Sequence, residues 1–133
     1  LANNPGSAKP GDGRYLEWFV PDDATILLLP TTEPWAAGAF EGGFQWGHPH
    51  TDLRTAVLRR WDLRHGAEPA ANWGTMLQLV VGRPPSTIEA AWAIAREVAL
   101  LWPDTAGGLN GISTRTHARD LIDRDRWFLH YRP

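Results

Sequence analysis

The feature that most constrains this fold is a strand-like run that is followed at once by an Arg-Pro-Pro sequence and then by apolar residues at helical spacing. Met76–Val81 is almost wholly apolar, which is typical of a buried strand. Residues 83–85 (Arg-Pro-Pro) interrupt regular structure, and residues 86–89 have the pattern of a capping box. Apolar residues, Ile88 and Trp92 among them, then recur on one face at helical spacing as far as Trp102. The sequence therefore predicts a helix here that is buried on more than one side.

Patterns on either side of this block complete the set of predicted elements. In chain order they are a strand at residues 14–20, a buried strand at 25–29, a helix at 51–65, a hairpin of 67–73 and 75–82, a short helix at 114–123 and a strand at 126–132. Short strands alternating with helices favour the α+β class, an antiparallel sheet with helices packed on one face. Without the segment at residues 14–20, the element order matches the split β-α-β pattern of ferredoxin-like folds.

The length and the composition of the chain limit its domain organisation and exclude several classes of function. A chain of 133 residues is the size of one domain, and residues 1–13 are rich in Asn, Gly, Pro and Ser. We therefore expect a flexible N-terminal segment or linker at 1–13 and a single domain over 14–133. The absence of cysteine excludes disulfides, thiolate metal sites and cysteine nucleophiles. The formal net charge is −2, so the chain has no excess of positive charge to attract the phosphates of a nucleic acid. We therefore expect no nucleic-acid partner.

The location of the protein is predicted from the apolar runs. No run approaches the roughly 20 residues that a membrane-spanning helix needs, and the first residues lack the apolar stretch of a signal peptide. We therefore expect a cytoplasmic protein without a membrane partner. Because residue 1 is Leu, we also expect further sequence before it.

Several blocks of the sequence resemble one known family. They are residues 26–34 (ILLLPTTEP), 42–46 (GGFQW), 56–68 (AVLRRWDLRHGAE), 77–85 (LQLVVGRPP), 89–104 and 126–128. Over roughly residues 24–132 the chain resembles the bacterial family catalogued as domain of unknown function 4253. The resemblance implies a unit at the C-terminal end of a longer protein, with no established activity. Relatives carry cysteines near His48 and in the block at 101–104, and neither is present here, so no thiol role is carried over.

The sharpest candidate for chemistry is a pair of histidines before the first predicted helix. His48 and His50 are one residue apart, so both can reach one divalent metal ion, and Asp52 offers a third ligand. The alternative is a loop in which Asp52 caps the helix. No other cofactor is suggested by the sequence.

No set of side chains has the pattern of a catalytic centre. Ser86 is accounted for by the capping box, and Ser113 lacks the flanking glycines of a nucleophile elbow. His117 and His130 lie near aspartates in the sequence, which is more typical of solvated salt links than of a catalytic pair. We therefore assign no catalytic residue from the sequence.

Aromatic residues cluster in a stretch rich in Gly and Pro ahead of the first helix. They are Trp35, Phe40, Phe44 and Trp46. Loops often carry recognition and Trp often anchors protein contacts, so these four are interaction candidates. The Arg-bearing face of Thr51–His65, which carries Arg54, Arg59, Arg60 and Arg64, is a further candidate. The alternative is that the loop folds back and its aromatic rings cover one end of the sheet.

Two functions are therefore predicted, and they belong to different classes. The first is a non-catalytic protein-interaction or regulatory module whose partner is another protein. The alternative is a metal-dependent enzyme or small-molecule binder that uses the His-Pro-His loop. A metal-binding assay on the purified protein distinguishes the two.

Overall fold

The computed structural model describes residues 13, 23–37, 51–107 and 111–132. Its helices and strands, in chain order, are α1 (Thr51–His65), β1 (Ala67–Asn72), β2 (Met76–Val81), α2 (Ile88–Leu101), α3 (Thr114–Asp120) and β3 (Arg126–His130). Short 3₁₀ helices cover Pro34–Ala36 and Pro103–Thr105. The predicted α+β class is confirmed, since these residues form three helices and one antiparallel sheet of three strands.

The sheet is a meander in which β2 lies between β1 and β3. β1 and β2 form the predicted hairpin. Gly74 turns it with a φ of +74°, which glycine adopts without steric cost, and the Gly74 N–H donates to Asn72 Oδ1 at 2.8 Å. β3 pairs with the other edge of β2, where Leu129 is opposite Leu77. The predicted closing strand is therefore confirmed.

The core is built around three fully buried tryptophans, which are Trp61 of α1, Trp102 after α2 and Trp127 of β3. The ring centre of Trp61 lies 5.5 Å from that of Trp102 and 5.5 Å from that of Trp127. Aromatic pairs at this distance, tilted or edge to face, are favourable beyond the area that they bury. One side chain from each of three elements therefore meets at the centre of the domain.

The helix ends differ in detail from the sequence prediction. The N-cap of α2 is Thr87 rather than Ser86: the Thr87 side chain accepts from the Ala90 N–H at 3.3 Å, so the helix begins at Ile88. α3 ends at Asp120 rather than at residue 123, because Asp123 has a φ of +55° and turns the chain toward β3. In the described part of the chain, no helix is both long and apolar enough to cross a membrane.

The predicted buried strand at residues 25–29 is the main departure. These residues have no regular secondary structure and join no sheet among the described residues, and Ile26 is 87% exposed and Leu28 is 93% exposed. The apolar composition suggested burial, but the two edges of β2 are already occupied by β1 and β3. A ferredoxin-like arrangement has four strands, whereas the described residues form a sheet of three in the order β1-β2-β3, so that arrangement stays a prediction. The strand predicted at residues 14–20 lies outside the described residues.

Candidate functional site: a groove between two helices

A groove of about 450 Å³ lies between the start of α2 and α3. We call it the α2–α3 groove. Its lining consists of three residues of α2 and two of α3: Ile88, Glu89, Trp92, Arg115 and Arg119. α2 and α3 pack directly against each other, so the groove follows a rigid helix–helix contact instead of a loop.

The apolar part of the groove comes from α2. Ile88 and Trp92 are four residues apart and therefore lie one above the other on the same side of the helix. They are 40% and 39% exposed, while Ile94 and Val98, on another side of the helix, are buried in the core. We predicted Trp92 on the buried face of this helix. That expectation was wrong: α2 is apolar around most of its circumference, and Ile88 and Trp92 lie at the edge of its buried side, in the α2–α3 groove.

The charged part of the groove comes from α3. Arg115 and Arg119 are also four residues apart, so both guanidinium groups lie on one side of α3, and both side chains are exposed. Within the described residues, neither forms an ion pair or a side-chain hydrogen bond. Glu89 is the one carboxylate in the lining. Two positive charges against one negative charge favour an anionic group in this groove.

The other side of α3 holds the helix against the rest of the domain. His117 and Ala118 are buried there, and the Ser113 side chain caps the helix by accepting from the Thr116 N–H at 3.1 Å. Burial lowers the pKa of His117 to about 4, so its imidazole is neutral at pH 7. The arginine side of α3 is therefore presented outward by a helix that is capped and packed on its opposite side.

Comparison with known proteins identifies the family. The family model described as "Domain of unknown function (DUF4253)" matches residues 25–131, which is well over half of the chain. The chain belongs to this family. The three core tryptophans and every residue of the α2–α3 groove fall within the matched range. No curated protein and no solved structure matches the chain.

Of the four aromatic interaction candidates, Trp35 is described, and it is half-buried at the edge of the core of this DUF4253 domain. Its Nε1 donates to Glu33 Oε2 at 2.9 Å, and the guanidinium carbon of Arg59 lies 5.5 Å from its ring centre. Trp35 therefore contacts the Arg-bearing face of α1, the other part of the predicted surface. Phe40, Phe44 and Trp46 lie outside the described residues, so their role stays a prediction.

The predicted metal ligands are described in part. Asp52 is exposed in the first turn of α1, and its Oδ1 accepts a hydrogen bond from the Leu53 N–H at 2.8 Å. His48 and His50 lie outside the described residues. Across the parts of the DUF4253 domain that the structure describes, no three His, Asp or Glu side chains are grouped so that they could hold a metal ion.

Arg54 of the DUF4253 domain lies in the core and not on the exposed face of α1, where we predicted it. It is 4% exposed; its Nη2 donates to the Leu101 carbonyl at 2.6 Å, and its guanidinium carbon lies 4.5 Å from the ring centre of Tyr131. Burial lowers its pKa, and Tyr131 acts in the opposite direction. The sequence held a signal for this burial, because Arg54 precedes the buried Val57 and Trp61 by three and seven residues.

Proposed function

We propose that this domain is a protein-interaction module that binds a segment of another protein in the α2–α3 groove. The observation that carries the proposal is the pairing of two half-exposed apolar side chains, Ile88 and Trp92, with two arginines that have no partner among the described residues. Trp and Arg are the residue types that most often anchor protein interfaces. A partner segment that offers an apolar side chain and a carboxylate complements both parts of the groove.

The composition of the groove supports binding over catalysis. Its lining contains no serine, cysteine or histidine, and Glu89 is its single carboxylate. Nucleophilic catalysis typically pairs a nucleophile with a base within hydrogen-bond reach, and the groove has no such pair. Recognition needs an apolar anchor and a matching charge, and the groove has both.

The experiment is a peptide array probed with the purified domain. One set of peptides combines Asp or Glu with Leu, Phe or Trp, and a matched set replaces each acid by Lys. We expect the wild-type domain to retain acidic peptides and the Trp92→Ala variant to lose at least tenfold in affinity. The Arg115→Glu, Arg119→Glu double variant should shift its preference to the basic set.

The matched control is Leu100→Ser. Leu100 lies on the same helix, is 76% exposed and does not line the groove, so peptide binding should not change. The proposal is wrong if the charge-reversed variant retains the same acidic peptides as the wild type, or if Leu100→Ser weakens binding as much as Trp92→Ala does.

A further inference from the structure

A second apolar surface is exposed on this chain, away from the helices. It is the segment at residues 23–29 (the 23–29 segment), in which Ile26 and Leu28 are almost fully exposed and Leu27 is 54% exposed. Three neighbouring branched aliphatic side chains in water are unusual for a folded domain, and such patches generally mark an interface. The segment also carries one exposed acid, Asp23, at a bend three residues before Ile26.

The 23–29 segment and the α2–α3 groove have complementary chemistry. The groove offers two apolar side chains beside an excess positive charge, and the segment offers apolar side chains beside a negative charge. A peptide bound in extended form places residues two apart on the same side, so Ile26 and Leu28 would then lie about 6.6 Å apart, given a rise of about 3.3 Å per residue. Ile88 and Trp92 are separated by about 6 Å along α2, given a rise of 1.5 Å per residue. The two apolar pairs therefore have nearly the same spacing.

The two edges of the sheet are less suited than the groove to bind this segment. In β1, Pro69 has no N–H to donate, and the pairing is irregular between Pro69 and Ala71. At the end of β3, Thr105 Oγ1 accepts from the His130 N–H at 2.8 Å and lies 3.3 Å from the His130 carbonyl. Both edges are therefore partly blocked against an added strand.

We infer that residues 23–28 of one copy of this chain bind in the α2–α3 groove of a second copy. This inference rests on the proposed function and names one partner for the same groove. Ile26 and Leu28 pack on Ile88 and Trp92, and Asp23 lies toward Arg115 and Arg119. Because each copy carries both the segment and the groove, two reciprocal contacts close a two-fold dimer. The segment is short, so the dimer is in equilibrium with the monomer.

The experiment is sedimentation velocity on the full chain over a range of concentrations, with a variant on each side of the contact. We expect the wild type to dimerise as its concentration rises. The Ile26→Asp, Leu28→Asp variant (the segment variant) and the Arg115→Glu, Arg119→Glu variant (the groove variant) should each weaken dimerisation at least tenfold. Both sets of side chains are exposed, so the fold should be retained, which circular dichroism checks. Leu100→Ser is again the control and should dimerise like the wild type.

A mixing experiment assigns the contact. The segment variant keeps an intact groove, and the groove variant keeps an intact segment, so an equimolar mixture should form a heterodimer that neither forms alone. Combining Asp23→Arg with Arg119→Glu in one chain should recover part of the affinity that either single change removes. If the mixture stays monomeric, or if the segment variant dimerises like the wild type, the inference is wrong.

The outcomes separate this inference from the proposed function. A chain that stays monomeric at all concentrations while its groove binds acidic peptides on the array overturns the second-copy partner and leaves the proposed function in place. A chain that dimerises unchanged in the groove variant overturns the inference as well, because the contact then lies elsewhere. If the groove variant loses both acidic-peptide binding and dimerisation, while the segment variant loses dimerisation but still binds acidic peptides, the result supports both the inference and the proposed function.

Discussion

Trp61 of α1 donates its indole N–H to Glu97 of α2, with 2.8 Å between Nε1 and Oε2. The indole is fully buried, and the other carboxylate oxygen of Glu97 forms an ion pair with Arg60. Glu97 therefore connects the centre of the aromatic core to the surface of α1. The buried hydrogen bond and the half-exposed ion pair have very different energetic weights, and substitutions can separate them.

The first prediction concerns the acceptor of this bond. Glu97→Ala leaves a buried N–H without a partner, so we expect it to lower the free energy of unfolding by about 1–3 kcal/mol. Glu97→Gln keeps an oxygen acceptor, so its free energy of unfolding should fall by less than that of Glu97→Ala. Arg60→Ala removes only the half-exposed ion pair and should cost less than about 1 kcal/mol. Urea unfolding measures all three; an Arg60→Ala loss as large as that of Glu97→Ala would show that the ion pair carries the stability.

The second prediction concerns pH. Burial lowers the pKa of His117 to about 4 from an ordinary value of 6.5, so the unfolded chain binds this proton more readily than the folded chain does. The contribution of neutral His117 to the free energy of unfolding is fully present above about pH 6.5 and is lost as the pH falls toward 4. Between pH 7 and pH 5 the loss from this one group is about 2 kcal/mol.

The measurement is urea unfolding of the wild type and of His117→Gln at pH 7, 6 and 5. Subtracting the two pH profiles removes the contributions of the other titrating groups, including His130, whose pKa burial also lowers. We expect the wild type to lose about 2 kcal/mol more than the variant over this range. Parallel profiles for the two proteins would contradict the prediction.

Much of the fold could be predicted because local patterns determine it. The helix at Thr51–His65 and the hairpin around Gly74 appear at the predicted positions, since an apolar stripe and a turn glycine act over a few residues. The segment at residues 25–29 could not be predicted in this way. Whether an apolar run pairs depends on which strands already occupy the neighbouring edges, and that is set by contacts distant in the sequence.

The candidate site was largely missed for the same reason. Trp92 and Ile88 repeat with the same helical spacing as core residues, and nothing local distinguishes the uncovered side of an apolar helix from the covered side. Arg115 and Arg119 look like ordinary solvated residues until α3 is placed beside α2. Arg54 is the opposite case, since its spacing relative to Trp61 indicated burial but its charge suggested exposure.

The third prediction concerns Arg54. Arg54→Met keeps an unbranched side chain over Tyr131 and removes the desolvation cost of the buried charge, so we expect a free energy of unfolding within about 1.5 kcal/mol of the wild type. Arg54→Ala leaves the space empty and should cost about 2–4 kcal/mol. Urea unfolding at pH 7 compares the two. If Arg54→Met is as unstable as Arg54→Ala, the bond to the Leu101 carbonyl and the contact with Tyr131 are what the site needs, rather than its volume.

The fourth prediction separates tryptophans that fold the domain from the tryptophan that we assign to binding. Trp102 is fully buried in contact with Trp61, so Trp102→Ala should lower the free energy of unfolding by about 3–5 kcal/mol. Trp92 lies in the α2–α3 groove and is partly exposed, so Trp92→Ala should cost less than about 1.5 kcal/mol. Thermal and urea unfolding measure both, with peptide binding measured on the same samples. A Trp92→Ala protein that is nearly as stable as the wild type but no longer binds acidic peptides fits a recognition role. One that unfolds as readily as Trp102→Ala would place Trp92 among the core residues.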